Sequence, residues 1–178
     1  TTGHQLNLFT GPVFFIYKIL QTIKLAENLK KNFPESQFVP VFWMATEDHD
    51  FEEINHFRTE NDYFEIKADS GGAVGRIVIE DQYFIGQFEE AFKDFVFGTE
   101  LILMMKKAYK KGNTLAQATR ILVNELFSEF GLLILDGDHP NLKSEMISIF
   151  RAELLHEKLY HSSQEKVEFL KNNYGKVQ

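Results

Sequence analysis

The stretch Phe38–His56, which reads FVPVFWMATEDHDFEEINH, decides the fold that this sequence predicts. Its first half, residues 39–45, is almost entirely apolar, which is typical of a strand buried on both faces of a sheet. Its second half carries Glu47, Asp48, His49, Asp50, Glu52 and Glu53. In open α/β sheets, ligands bind beyond the carboxyl ends of the strands. This change from apolar to ionisable residues therefore marks the predicted site.

Helix capping explains part of the acidic segment without any function. Asp50 fits the N-cap position of a helix, and Glu53 fits the third position of the capping box that would follow. Acidic residues in the first turn of a helix also interact favourably with the helix dipole. Capping does not account for Asp48 and His49, which precede the cap. We therefore take Asp48 and His49 as candidate functional residues and leave both interpretations of Glu53 open.

The order of strand, ionisable turn and helix recurs near the start of the chain. Gly3, His4 and Gln5 precede a helix that the spacing of apolar residues predicts as far as about Asn32. Thr10 or Gly11 would cap this helix, and Pro12 would occupy its first position. A helix N-terminus offers free N–H groups and positive partial charge to an anion. Alone, this arrangement is a weak indication of a binding site.

The same order occurs a third time at residues 132–154. An apolar run at 132–135 predicts a second buried strand, Asp136 opens the polar turn, and Pro140 begins a helix that would reach Leu154. Residues 76–79 predict one more strand. Repetition of this unit is typical of a parallel sheet covered by helices. We therefore predict an α/β fold with its site at the carboxyl ends of the strands.

Composition excludes several classes of function. The net charge of −7 argues against non-specific binding of nucleic acid, and no apolar run approaches the length of a membrane span. With 0 Cys there is no disulfide, no thiolate nucleophile and no cysteine zinc site. These features suit a cytoplasmic protein with no nucleic-acid or membrane partner.

Four segments resemble the cysteine ligases of bacillithiol biosynthesis. Thr2–Pro12 is similar to the family's TGxQxxLFxGP opening, and Pro40–His56 to its PVFWxAxEDHDxxEINH block, which is the longest and most specific match. Gly72–Arg76 resembles its GxVGR segment. Residues 124–127, followed by 131–138, resemble its helix and LxxLDxD strand end. The resemblance covers nearly the whole chain but a minority of the family's length. We therefore expect 1–178 to be the core domain of a longer bacterial protein, with 60–112 as an inserted or peripheral segment.

The resemblance implies a fold, a reaction and partners. The fold would be Rossmann-like, similar to that of the class I nucleotidyltransferases, and the reaction would join cysteine to malyl-glucosamine through an amide bond, giving bacillithiol. Gly3–Gln5 would take the place of the histidine signature that holds nucleotide phosphates in that group. The nucleotide, ATP or another, stays open because the group's lysine loop does not occur in this sequence. The family's coiled coil, which this chain lacks, would make the protein a homo-oligomer.

Under this ligase hypothesis the catalytic residues are His4, Asp48 and His49. His4 would stabilise charge on a transferring phosphate or an oxyanion, Asp48 would hold an amine or sugar hydroxyls, and His49 would act as general base. The expected substrate- or nucleotide-binding residues are Gly3, Gln5, Thr10, Gly11, Asp50, Asn55 and Asp136.

Two other hypotheses stay open. In a metal-dependent hydrolase of a small polar substrate, Asp48, His49, His56 and Asp136 could supply oxygen and nitrogen ligands. The sequence has no HExxH motif, and adjacent residues at one strand end point in different directions. We therefore expect no metal. The chain could also be a non-catalytic domain that binds a nucleotide or another ligand.

Overall fold

The structure is a computed structural model that describes residues 1–69 and 71–175. The chain folds as two compact units, the first spanning Thr1–Asp138 and the second beginning at His139. The strands of the first unit are β1 (Thr2–His4), β2 (Val41–Met44), β3 (His56–Arg58), β4 (Tyr63–Glu65) and β5 (Leu133–Asp136). Its helices are α1 (Phe14–Asn32), α2 (Phe51–Ile54), α3 (Tyr83–Phe92), α4 (Gly98–Ala108) and α5 (Leu115–Phe127).

A parallel sheet in the order β1-β2-β5 forms the centre of the first unit. Helix α1 packs against β1 and α5 packs against β5. The rings of Phe15 in α1 and Phe42 in β2 lie 5.2 Å apart. The predicted α/β fold with a parallel sheet covered by helices is confirmed. A separate antiparallel hairpin pairs β3 with β4.

Burial of the strands differs from the prediction. In β2, Phe42 and Met44 are buried while Val41 and Trp43 are half-buried. In β5, Leu133 is 54% exposed and the other three residues are half-buried. Within the described part of the chain β5 pairs only with β2, so it is an edge strand. The prediction that this second strand is buried was therefore wrong.

Helix α1 ends at Asn32 as predicted but begins later than expected. The structure places Val13 at the N-cap with no capping side chain, so the predictions of a Thr10 or Gly11 cap and a Pro12 start were wrong. The reason is the backbone before the helix. Thr10 and Gly11 have φ angles of 76° and 62°, and this left-handed conformation does not continue into a right-handed helix.

Two further predictions from the sequence were wrong. Residues 76–79 form no strand, because Val74–Arg76 is a 3₁₀ turn and Val78 makes one isolated bridge to Thr114, directly before α5 begins. The helix expected from Pro140 to Leu154 is divided in the second unit. This unit contains α6 (Pro140–Ser144), α7 (Ile147–His156) and α8 (Lys158–Tyr174). A short-range bond from Met146 N–H to the Lys143 carbonyl turns the chain between the first two.

An aromatic cluster holds the loop between β1 and α1. Phe9 has φ 53° and ψ 32°, which is uncommon for a residue with a side chain. Its ring contacts the rings of Phe57, Phe64, Phe84, Phe88 and Tyr109. The Phe9 N–H donates to the buried Tyr109 hydroxyl at 2.9 Å.

No helix in the described part of the chain is long and apolar enough to cross a membrane.

Replacing Tyr109 with Phe should destabilise the first unit. The variant keeps the ring but leaves the buried Phe9 N–H without its acceptor, at a cost of about 1–3 kcal/mol. Denaturant unfolding of the full-length protein measures the change. Tyr83→Phe is the matched control, because Tyr83 is an exposed residue of α3. Equal stability of Tyr109→Phe and wild type would show that the hydroxyl does not hold this loop.

Candidate functional site

The candidate site lies where the three parallel strands end. The register pairs Met44 with His4 on one side and with Asp136 on the other. Adjacent strands lie about 4.8 Å apart, so these three residues form one row across the carboxyl edge of the sheet. The two outer positions of this row carry the ionisable side chains that the sequence singled out.

His4 ends β1 and packs on the start of α1. Its ring lies 5.1 Å from the ring of Phe14 and 5.2 Å from that of Phe15. Its Nδ1 lies 3.2 Å from the Gln5 carbonyl oxygen, which can only accept a hydrogen bond. Nδ1 therefore carries the hydrogen. In the neutral ring, Nε2 then keeps a lone pair and can accept a proton.

The surroundings of His4 favour its neutral form. Burial is the largest cause and lowers the pKa of His4. The positive charge of Lys18 lowers it further, while hydrogen bonding to the Gln5 carbonyl and to Asn7 opposes the shift. Lys18 itself donates from Nζ to the Gly3 carbonyl at 2.5 Å. A cation thus lies at the end of β1, beside His4.

Gln5 joins the end of β1 to the acidic segment after β2. Its Nε2 donates to Asp48 Oδ2 and to Glu53 Oε2, both at 2.9 Å. The pKa of Asp48 is lowered, chiefly by the hydrogen bond from Gln5 and then by the backbone N–H groups of His49 and Asp50. The capping interpretation was wrong in its mechanism. Asp50 is the N-cap of α2 but makes no side-chain cap, and Glu53 bonds to Gln5 instead.

His49 lies outside the contacts that join the two strand ends. Its side chain is 87% exposed, and its Nδ1 is 3.7 Å from Asp48 Oδ1. Asp48, in contrast, is half-buried and bonded to Gln5. The structure therefore brings Asp48 beside Gln5 and leaves His49 on the surface next to it.

Asp136 is held by a buried polar network. Its Oδ1 accepts from the Thr46 hydroxyl at 2.5 Å and from the Asp138 N–H at 3.0 Å. Thr46 is buried, and its hydroxyl also accepts from the Asp138 N–H at 2.8 Å. The segment after β5 is thus bonded to the side chain of Thr46, which follows β2, and Asp136 is oriented at the row of strand ends.

The turn at 74–76 adds an arginine to this network. The N–H groups of Val74 and Gly75 donate to the carbonyls of Asp48 and Thr46, at 2.7 and 2.9 Å. Arg76 Nε then donates to the carboxylate of Asp138, which is buried. This contact raises the pKa of Arg76. The turn is therefore attached to the strand ends through both its backbone and its arginine.

Four of the expected binding residues make no described side-chain contact with these groups. Thr10 and Gly11 form the left-handed turn before α1. Asp50 bonds to Asp48 only through its backbone N–H, and the Asn55 amide oxygen lies 3.0 Å from His56 Nδ1. Among the described residues, no group of three or more His, Asp or Glu side chains could hold one metal ion. The described residues therefore provide no set of metal ligands for the metal-dependent hydrolase hypothesis.

A family model described as "Bacillithiol biosynthesis BshC, N-terminal Rossmann-like domain" matches residues 1–178. The chain belongs to the BshC family. A relative from Flavobacterium psychrophilum, named "Putative cysteine ligase BshC", is 47% identical over 171 residues, or 94% of this chain and 31% of the relative. One of the same name from Flavobacterium johnsoniae is 44% identical over 172 residues, or 96% of this chain and 32% of the relative.

The family similarity extends beyond Flavobacterium. A BshC relative from Bacillus cytotoxicus is 29% identical over 158 residues, or 84% of this chain and 29% of the relative. The chain spans about a third of the length of the curated relatives it matches. Membership of the BshC family and the Rossmann-like fold were both predicted from the sequence, and both are confirmed.

Sequence reasoning assigned no role to Lys18, Thr46, Arg76 or Asp138. In the sequence, Lys18 looks like any other lysine on the solvent-exposed face of α1. Thr46 looks like an ordinary polar residue at the end of an apolar strand. A signal was present for the other two. Arg76 closes the GxVGR segment of the BshC family, and Asp138 ends the LxxLDxD segment. Because these residues are 62 positions apart, only the structure shows that they are partners.

Protonation of His4 should make the fold less stable in mild acid. The unfolded chain titrates near the ordinary pKa of about 6.5, and the folded chain titrates at lower pH. Between these pKa values the unfolded state binds more protons, so stability falls as the pH drops. Denaturant unfolding of full-length wild type and His4→Gln at about pH 8 and about pH 5.5 measures this effect. Wild type should lose more stability than His4→Gln, and an equal loss would contradict the prediction.

Gly75 is needed for the close approach of the 74–76 turn to Thr46. A Cβ at Gly75 would lie 2.6 Å from Thr46 Cβ and 2.9 Å from the Thr46 carbonyl oxygen. Gly75→Ala should therefore destabilise the protein by about 1–3 kcal/mol, the usual cost of overpacking. Thermal or denaturant unfolding tests this. Gly86→Ala is the control, since a Cβ there meets nothing within 4 Å in a helix that alanine favours. Equal effects of the two substitutions would argue against the tight contact.

Proposed function

We propose that this chain carries the reaction site of a cysteine ligase that forms bacillithiol. The bond would be an amide between the carboxyl group of cysteine and the amino group of malyl-glucosamine. Support comes from membership of the BshC family and from relatives that are named cysteine ligases. We also propose that residues 1–178 act as the core domain, with 60–112 as its inserted or peripheral segment.

The observation that carries this proposal is the row of His4, Met44 and Asp136 across the sheet. Amide formation needs a group that accepts a proton from the attacking amine and groups that hold the two reactants in contact. At one end of the row lies a neutral imidazole, and at the other lies an oriented carboxylate. Ligands of parallel α/β sheets bind along this edge.

His4 is the better of the two candidate bases. Its Nδ1 donates to the Gln5 carbonyl, so in the neutral ring Nε2 keeps a lone pair that can accept a proton, and burial favours this neutral form. In that form Nε2 has no hydrogen to donate to an oxyanion. We therefore replace the role expected for His4 from the sequence, stabilisation of negative charge, with acceptance of a proton. His49 is exposed and lies near Asp48 alone. We assign proton acceptance to His4 and keep His49 as the competing candidate.

The acidic groups suit the polar substrate. Asp48 has a lowered pKa and is therefore ionised, and Asp136 is held through one oxygen only in the described contacts. Both could accept hydrogen bonds from an amino group or sugar hydroxyls. We keep Gln5, Asp50 and Asn55 as proposed binding residues, although the last two make no described side-chain contact with these acids. Small-molecule substrates thus account for the acidic groups, with no nucleic acid or membrane as partner.

The end of β1 fits phosphate groups of a nucleotide. Lys18 supplies a cation there, and the N–H groups of Val13 and Phe14 at the start of α1 have no acceptor among the described residues. Gly3 to Gly11 would form the rest of this surface. A bound nucleotide, ATP or another, would supply activation of the carboxyl group. We further propose a cytoplasmic enzyme whose coiled coil, outside this chain, makes it a homo-oligomer.

The assignment of the base is tested with His4→Asn and His49→Asn in the full-length enzyme. Loss of a general base lowers turnover by about 10²–10⁴-fold. His4→Asn should show this loss, and wild-type kcat/KM should fall in acid as His4 becomes protonated, below about pH 6.5. Steady-state kinetics of amide formation across pH measures both effects.

The exposed His161 of α8 provides the control variant His161→Asn, which should keep wild-type turnover. A large loss in His49→Asn with normal turnover in His4→Asn would transfer the role to His49. Absence of ligation by the wild-type full-length protein, under conditions where a family relative is active, would refute the proposed function itself.

A further inference from the structure

Arg76 is the one charged residue of the 74–76 turn, and the proposed ligase chemistry gives it no role. Its side chain is 72% exposed, yet its partner Asp138 is only 8% exposed. A surface ion pair normally joins two mobile, solvated side chains and contributes little. Here a buried carboxylate holds a mainly exposed guanidinium, so the contact fixes the orientation of the arginine.

The atom that Asp138 contacts determines what Arg76 can bind. The bond to Asp138 uses Nε. In the described contacts, neither terminal nitrogen of Arg76 has a protein acceptor. The guanidinium is planar, and its terminal N–H groups form a fork that matches a carboxylate with two parallel hydrogen bonds. The structure thus presents a pre-oriented fork at the edge of the site.

The backbone of the turn places this fork beside the strand ends. Val74 and Gly75 are bonded to the carbonyls of Asp48 and Thr46, and Asp138 is bonded to Thr46 and Asp136. The position of Arg76 therefore depends on both β2 and β5. Substitution of Gly75 would shift the turn, which explains why a residue without a side chain precedes the arginine.

The nearby acids limit which anion can bind. Asp138 is paired with Arg76, and Asp136 adds a negative charge close enough to raise the pKa of Arg76. A highly charged phosphate group would be repelled by Asp136. A carboxylate carries less charge, and a molecule that also bears hydroxyl or amino groups could bond to Asp136 at the same time. The combination favours a small acid with sugar-like or amino groups.

We propose that Arg76, held by Asp138, binds a carboxylate of a substrate at this site. This inference rests on the proposed function, under which two substrates carry carboxylates. The malyl group is the preferred source because its carboxylates do not react, whereas the carboxyl group of cysteine becomes the amide. Asp138 is a positioning residue, since it acts through Arg76.

The test uses Arg76→Gln, Arg76→Lys and Asp138→Asn in the full-length enzyme. Loss of a paired, charge-assisted interaction should raise the KM for malyl-glucosamine by about 10–100-fold in Arg76→Gln, with a smaller change in kcat. Arg76→Lys keeps the charge but lacks the fork, so it should recover only part of this loss. Asp138→Asn should raise the same KM, and glucosamine, which lacks the malyl group, should be used equally by wild type and Arg76→Gln.

The matched control is Arg58→Gln, which removes the same charge from the β3–β4 hairpin, where the guanidinium lies over the Tyr63 ring. It should leave each KM unchanged. A rise confined to the KM for cysteine would support a bound carboxylate and identify cysteine as its source. An unchanged KM for both substrates in Arg76→Gln would overturn the inference. Calorimetric titration with malate gives a readout without catalysis, so an inactive wild type would refute the ligase proposal while still testing Arg76.

Discussion

The loop that follows His4 is held by a hydrogen bond between two buried groups that are 100 residues apart, the Phe9 N–H and the Tyr109 hydroxyl. Phe9 adopts a left-handed backbone conformation that costs energy for any residue with a side chain. The aromatic rings around Phe9 and the Tyr109 hydroxyl offset that cost. Because the loop then turns sharply, α1 begins at Phe14 and its first aromatic residues pack against the His4 ring. The aromatic packing thus extends to a residue of the candidate site.

The elements that the sequence predicted well are those whose signal is local. The apolar run before Thr46 predicted β2, and the spacing of isoleucines predicted α1 as far as Asn32. The recurrence of strand, polar turn and helix was enough to predict a parallel sheet. In each case, the information lies within one short window of the chain. Family resemblance added the Rossmann-like fold, because the Pro40–His56 block is long and specific.

The features that the sequence did not reveal depend on partners distant along the chain. The sequence pattern placed Glu53 in a capping box. In the structure its carboxylate instead accepts a hydrogen bond from Gln5, which is 48 positions away. Thr46 and Asp136, 90 positions apart, meet only because β2 and β5 are neighbours. The exposure of Leu133 likewise follows from the position of β5 at the sheet edge. Local patterns cannot predict strand order, so they cannot predict contacts that strand order creates.

Positive and negative charges lie at different ends of the candidate site, and this separation bears on how two reactants could be held. At the β1 end, Lys18 and the start of α1 provide positive charge beside a neutral imidazole. At the β2 and β5 ends, carboxylates predominate, and Gln5 lies between the two regions as an uncharged donor. An activated, anionic acyl group and a polar amine would be attracted to opposite ends of the same row. Their reacting atoms would then meet near its centre, at the buried Met44. The separation of charge along the sheet edge therefore suits the proposed condensation, in which two differently charged reactants are held side by side.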